Sequence, residues 1–123
     1  MLIIRPALLD NFQKEYGETG MVRCYAKAQG SSAITQDVIL LMNDEKLVFL
    51  FISYITNRLI RKIDFSSKEI LNSRVKSGVL LDDIWQFSAG GQKWFFRIQR
   101  KIIPLGNRQS EFLTYLNNNK SIM

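Results

Sequence analysis

Histidine is absent from this 123-residue chain. That removes the Ser–His and Cys–His nucleophile pairs and any metal site that needs an imidazole. Cysteine is nearly absent. Cys24 stands alone, so no intrachain disulfide can form, and a reducing, cytoplasmic compartment is expected. An uninterrupted apolar run of membrane-spanning length is also missing. Val38–Ile55 comes nearest, but Asn43-Asp44-Glu45-Lys46 puts three charges at its middle, where hydrocarbon makes them costly. Two core strands joined by a polar turn account for it better. Met1–Pro6 has neither the basic segment nor the apolar length of a signal peptide. There is no repeat, linker or low-complexity block.

What is present is a globular composition. Hydrophobic residues make up 46%, with 8 Phe, 4 Tyr and 2 Trp, far above what a disordered chain carries. The length fits one domain, which can bury roughly two-thirds of its unfolded surface. The net charge of +6 suits nucleic acid, an anionic membrane, an acidic protein or plain solubility, so it says little about partners.

Hydrophobic spacing orders the elements. Pro6 suits the first position of a helix over 6–16, with Leu9, Phe12 and Tyr16 on one face and Gly17 and Gly20 after it. The period then becomes two. Val22–Ala28 sets Val22, Cys24 and Ala26 against Arg23, Tyr25 and Lys27, and Gly30-Ser31-Ser32 reads as a turn. Ile34–Met42 and Leu47–Ser53 are strands joined by Asn43–Lys46, apolar on both faces as strands covered on both sides are. Ile60–Phe65 follows. Glu69–Lys76 then puts Leu71, Ser73 and Val75 on one face. Ile84–Ser88 and Lys93–Ile98 form a hairpin around Gly90-Gly91, where glycine supplies positive φ. Asn107 is placed to cap a last helix carrying Phe112, Tyr115 and Leu116 on one face, with Leu105 expected to staple onto that face. The sum is mainly β with α: seven antiparallel strands in a curved sheet or partly open barrel, a C-terminal helix plugging one end, and a short N-terminal helix.

That order resembles the pleckstrin-homology (PH) superfold, in particular bacterial PH-like domains. VILLMNDEKLVFLF (38–51) is similar to their hydrophobic strand–turn–strand. IRKIDFSSKEILNSRVKSG (60–78) resembles their Ile-x-x-Ile strand, polar corner and basic-ended strand. Residues 84–98 resemble the Gly-Gly, aromatic, Phe-Arg-Ile hairpin, and 106–116 the closing helix. The resemblance covers about residues 20–119, with 1–19 a helical extension and 120–123 a frayed tail. It implies a fold, not a lipid site. The first hairpin has no basic residue between Ala28 and Val38, where phosphoinositide-binding relatives carry Lys and Arg.

Little chemistry remains. Cys24 reads as a small core hydrophobe, because no base is available to activate it. Asp82 and Asp83 point to opposite faces of any strand and are expected as a turn-exposed, solvated pair. No enzyme activity, metal or cofactor is expected. The basic residues are richer. Segment 58–76 has a net charge of +4 and segment 93–108 a net charge of +5. Arg97, Arg100, Lys101, Arg108, Arg74 and Lys76 are the candidate anion- or partner-binding residues; Arg100, Lys101 and Arg108 are placed to cluster at one end of the barrel, and the alternative is a solvated rim. Trp94 and Phe95 alternate faces, so one aromatic of this hairpin should point outward or under the helix. The leading expectation is a protein-interaction or self-assembly module, with a homo-oligomer permitted. Peripheral binding to an anionic membrane is the alternative, and nucleic acid is disfavoured for want of a reading helix or stacking platform.

Overall fold

Pro6 opens α1 (Pro6–Tyr16) in a computed structural model that describes residues 5–29, 35–53, 55–78 and 81–118. Its ring fixes φ where the missing N–H has no intrahelical partner anyway. Gly17 ends the helix, its N–H bonding the Gln13 carbonyl at 2.9 Å. A Cβ there would lie 2.8 Å from Leu41 Cδ1, so glycine lets the chain pass close to the sheet without displacing that side chain.

Seven strands follow: β1 (Val22–Gln29), β2 (Thr35–Met42), β3 (Lys46–Ile52), β4 (Leu59–Ser66), β5 (Leu71–Ser77), β6 (Asp82–Ala89) and β7 (Gln92–Gln99). All pairings are antiparallel, and the order across the sheet is β4-β3-β2-β1-β7-β6-β5. Helix α2 (Arg108–Asn118) closes the chain. The β2–β3 turn is held by Asn43, whose side-chain oxygen accepts the N–H groups of Glu45 and Lys46 at 2.9 Å each. Gly90 and Gly91 take φ of 61° and 81°, the mirror-image turn that matches strand twist.

The inner face carries Leu40, Phe49, Trp85, Phe87, Trp94 and Phe96, and α2 lays Phe112, Leu113 and Leu116 onto it. Phe49 sits in a nest of rings, 4.8 Å from Phe96 and 5.0 Å from Trp94 between centroids. A second core lies on the outer face of β1–β3, where Tyr25, Ile39, Leu41, Val48 and Leu50 meet Leu9 of α1. This explains the two-faced apolar runs of β2 and β3: each strand is covered on both sides. Burying Leu9 alone contributes about 2 kcal/mol.

Three sequence expectations are corrected. Leu105 joins the outer core and does not staple onto the apolar face of α2. It ends a 3-10 turn (Ile103–Leu105), and Gly106 with φ 58° then redirects the chain. The stretch 69–76 is not one strand. Ser66 caps a 3-10 turn (Ser67–Glu69) in a reciprocal box with Glu69, and Ile70 is buried behind it. A bulge between Leu71 and Arg74, with Asn72 at φ 57°, shifts the face of the residues that follow. Leu71 therefore pairs with Ser88 and points outward, whereas Val75 pairs with Trp85 and points in. Finally, Asp82 and Asp83 lie within β6, and neither is a solvated turn residue. The Gly30-Ser31-Ser32 turn and the 120–123 tail lie outside the described residues.

Gln109 was not singled out from sequence. Strands β1 and β7 pair only from Gln29↔Phe95 to Lys27↔Arg97, and part beyond that toward Tyr25 and Gln99. Gln109 of α2, fully buried, fills the gap. Its Oε1 accepts the Tyr25 N–H at 2.8 Å, and its Nε2 donates to the carbonyls of Tyr25 and Gln99, both at 2.9 Å. One side-chain amide supplies the bonds that a neighbouring strand would.

Candidate functional site

Strand register sorts the basic residues, because directly paired residues share a face. Lys27 pairs with Arg97, Arg97 with Ile84, and Ile84 with Lys76, giving one row across the outer face. Phe95, Gln86 and Arg74 form the adjacent row. Arg74, Lys76 and Arg97 are thus brought onto one face. Arg97 is held by Asp82 at 3.3 Å and Lys27 by Asp37 at 3.6 Å. Arg74 and Lys76 are exposed and meet no carboxylate among the described residues.

The other candidates go elsewhere. Arg100 bends to Asp83, Nη1 to Oδ1 at 2.8 Å, and also donates to the Asp82 carbonyl. Arg108 grips Asp10 through both carboxylate oxygens, at 3.2 and 2.8 Å, and donates to the Leu105 carbonyl. Arg23 adds a bond to Asp10 at 3.1 Å, so one carboxylate of α1 ties together β1 and the start of α2. The Arg108 hydrogen bond, opposed by partial burial and reinforced by both guanidinium charges, holds the Asp10 carboxyl below the usual carboxylate range. Lys101 is exposed just past β7 and takes part in neither arrangement.

Lys93 was counted in the basic segment but not picked as a site residue. It pairs with Ser88 and so lies on the outer face with Arg74. The alternation Lys93, Phe95, Arg97 along β7 was the available signal. Trp94 is buried in the inner core, and Phe95 is the aromatic that faces out, half-buried.

The sheet does not close. β4 and β5 are its two edges, each with one side unpaired. β4 keeps an unbroken register with β3 from Ser66 to Arg61 and shifts at Ile60, and β5 is bulged between Leu71 and Arg74. Ile60 on β4 and Leu71 on β5 are 68% and 58% exposed.

Cys24 is fully buried, and burial pushes its thiol well above the ordinary value. Tyr115 donates to Asp44, joining α2 to the β2–β3 turn; burial and that carboxylate both keep its proton on. Among the described residues no three His, Cys, Asp or Glu gather around a metal position, and no helix is long and apolar enough to cross a membrane.

An open sheet of seven antiparallel strands closed by a C-terminal helix fits the PH-like fold. Two solved structures share it. The hSac2 domain from the human phosphoinositide phosphatase Sac2 matches with a TM-score of 0.57 and 8% identity, over 94% of this chain and 78% of that one. The C-terminal domain of an unknown protein from Leishmania infantum matches with a TM-score of 0.53 and 12% identity, over 90% and 93%. These are likenesses of fold. No family model matches the chain, and no curated protein matches it in sequence.

Proposed function

We propose that this chain is a non-catalytic, cytoplasmic interaction module of the bacterial PH-like type, which recruits a protein strand or a second copy of itself. The open edge of β4 carries this reading. Its unpaired backbone groups form a template for a further strand, and its register is straight over Arg61–Ser66. β5 is the poorer template, because its straight run against β6 covers only Arg74–Ser77. β4 is not open to any strand: Lys62 and Asp64, in contact at 3.3 Å, make its straight run polar on the outer face, and Ile60 stands exposed at the register shift. Anionic membrane binding is the weaker reading, since Arg97, Arg100 and Arg108 are each engaged by a carboxylate.

The test is the mass in solution by light scattering at low and high salt, for the native chain and for Ile60→Lys. A defined oligomer that Ile60→Lys converts to monomer supports pairing through β4. If the native chain is monomeric, peptide display takes over, and the reading requires a selected extended peptide whose binding Ile60→Lys abolishes. Failure of both overturns it.

A further inference from the structure

The outer face of β5–β7 holds a cleft of about 320 Å³, independent of the edge strands' role. Its floor is Gln86 and Ser88 of β6, and its walls are Asn72 and Arg74 from β5 and Lys93 and Phe95 from β7. Two cations from different strands thus border one depression, and neither meets a carboxylate among the described residues. On this half of the face, Arg74, Lys76, Lys93 and Arg97 stand against a single acid, Asp82, which Arg97 already engages.

The donors have a pattern. An arginine and a lysine reach in from opposite sides, and amide and hydroxyl groups lie between them. Several donors lining one cleft suit an anion with three terminal oxygens better than a two-oxygen carboxylate. Phe95 adds a different chemistry. A half-buried aromatic set among Gln86, Lys93 and Arg97 stands outside both core clusters. It offers a flat apolar surface beside the cations. The volume is at the small-ligand end of binding clefts. One ring and one pair of cations fit one planar group and one phosphate, whereas a nucleic-acid strand is held by successive aromatics.

We propose that this cleft binds a small ligand carrying a phosphate beside a planar ring, the chemistry of a nucleoside monophosphate. The ring lies against Phe95, with the Gln86 amide in reach of its polar edge. The phosphate sits between Arg74 and Lys93. The assignment uses charge complementarity and an aromatic platform, and it does not rest on strand recruitment at β4.

Calorimetric titration of the full chain at low salt with AMP, GMP, CMP and UMP tests it. At least one nucleotide should bind saturably, with Kd on the order of 0.1–1 mM. Arg74→Gln and Lys93→Gln should each weaken that binding about tenfold. Phe95→Leu should weaken it by a similar factor, about tenfold, and Phe95→Tyr should restore it. All four variants should keep the native thermal midpoint within a few degrees, since none enters either core cluster. Ribose 5-phosphate and inorganic phosphate should bind markedly more weakly than the nucleotide. Four results overturn the proposal: no binding by about 10 mM; binding indifferent to the Arg74, Lys93 and Phe95 changes; inorganic phosphate as tight as the nucleotide; or binding of an oligouridylate with no mononucleotide binding.

Discussion

The outer face of β1–β3 and the outer face of β5–β7 belong to one sheet and share one inner core, yet their side chains are unlike. On the first half, Tyr25, Ile39, Leu41, Val48 and Leu50 are buried. On the second, Arg74, Gln86, Lys93, Phe95 and Arg97 stand in corresponding positions and are exposed or half-exposed. The cause is α1, which lies over the first half and leaves the second bare. β3 is buried at every residue after Lys46, whereas β6 alternates buried and half-buried residues from end to end. A covering helix turns a period-two strand into a continuous apolar one. The uncovered half keeps its alternation, and that is where polar residues stay at the surface.

The largest effect should come from exchanging the two environments. Leu50→Lys puts a charge under α1 and should cost more than about 4 kcal/mol, enough to unfold a marginal domain. Gln86→Lys, on the bare half, should stay within about 0.5 kcal/mol. Urea unfolding of both variants measures the contrast, and equal losses would mean that α1 does not cover the face in solution.

The seam between the halves comes next. Gln109→Leu preserves bulk in α2 but removes its hydrogen bonds to the Tyr25 N–H and to the carbonyls of Tyr25 and Gln99. A loss of about 2–4 kcal/mol is expected by denaturant unfolding. Amide exchange at Tyr25 should quicken with it, and unchanged protection there would contradict the bridging role.

The smallest effect concerns the clasp that fastens the covering helix. The Asp10 carboxyl is held low by Arg108 and Arg23, so the folded state binds its proton less readily than the unfolded state does. Its contribution is therefore complete above the unfolded value of about 4 and is lost as pH falls through the folded value. Asp10 is nearly half exposed, so solvent screening limits the contribution to about 1 kcal/mol or less. Asp10→Asn should flatten the stability profile below about pH 4 and reduce its sensitivity to salt. A profile identical to that of the native chain would show that the clasp adds nothing.

The strands were legible because their signals are local. Alternation, the Asn43–Lys46 turn and the Gly90-Gly91 turn all act within a few residues, and α1 appeared over its observed span for the same reason. β5 was misread because a bulge is one extra residue with no strong composition mark, and it moved Leu71 to the other face from Val75. Leu105 was assigned to the wrong core because hydrophobicity says that a side chain is buried, not which of two cores receives it. Of the basic residues, charge was visible and company was not. Nothing near Arg108 in sequence points to Asp10, ninety-eight residues away. Lys93 became interesting only once β6 set it on the same face as Arg74.

By itself the sequence determined the order of helices and strands, the Asn43–Lys46 and Gly90-Gly91 turns, the two-sided burial of β2 and β3, and the burial of Cys24, since each follows from patterns a few residues long. Only the tertiary structure decided which cations are tied to carboxylates, where Gln109 bridges the sheet, and which half of the outer face stays open. Those outcomes depend on register and on helix placement, which bring together residues that no local pattern relates.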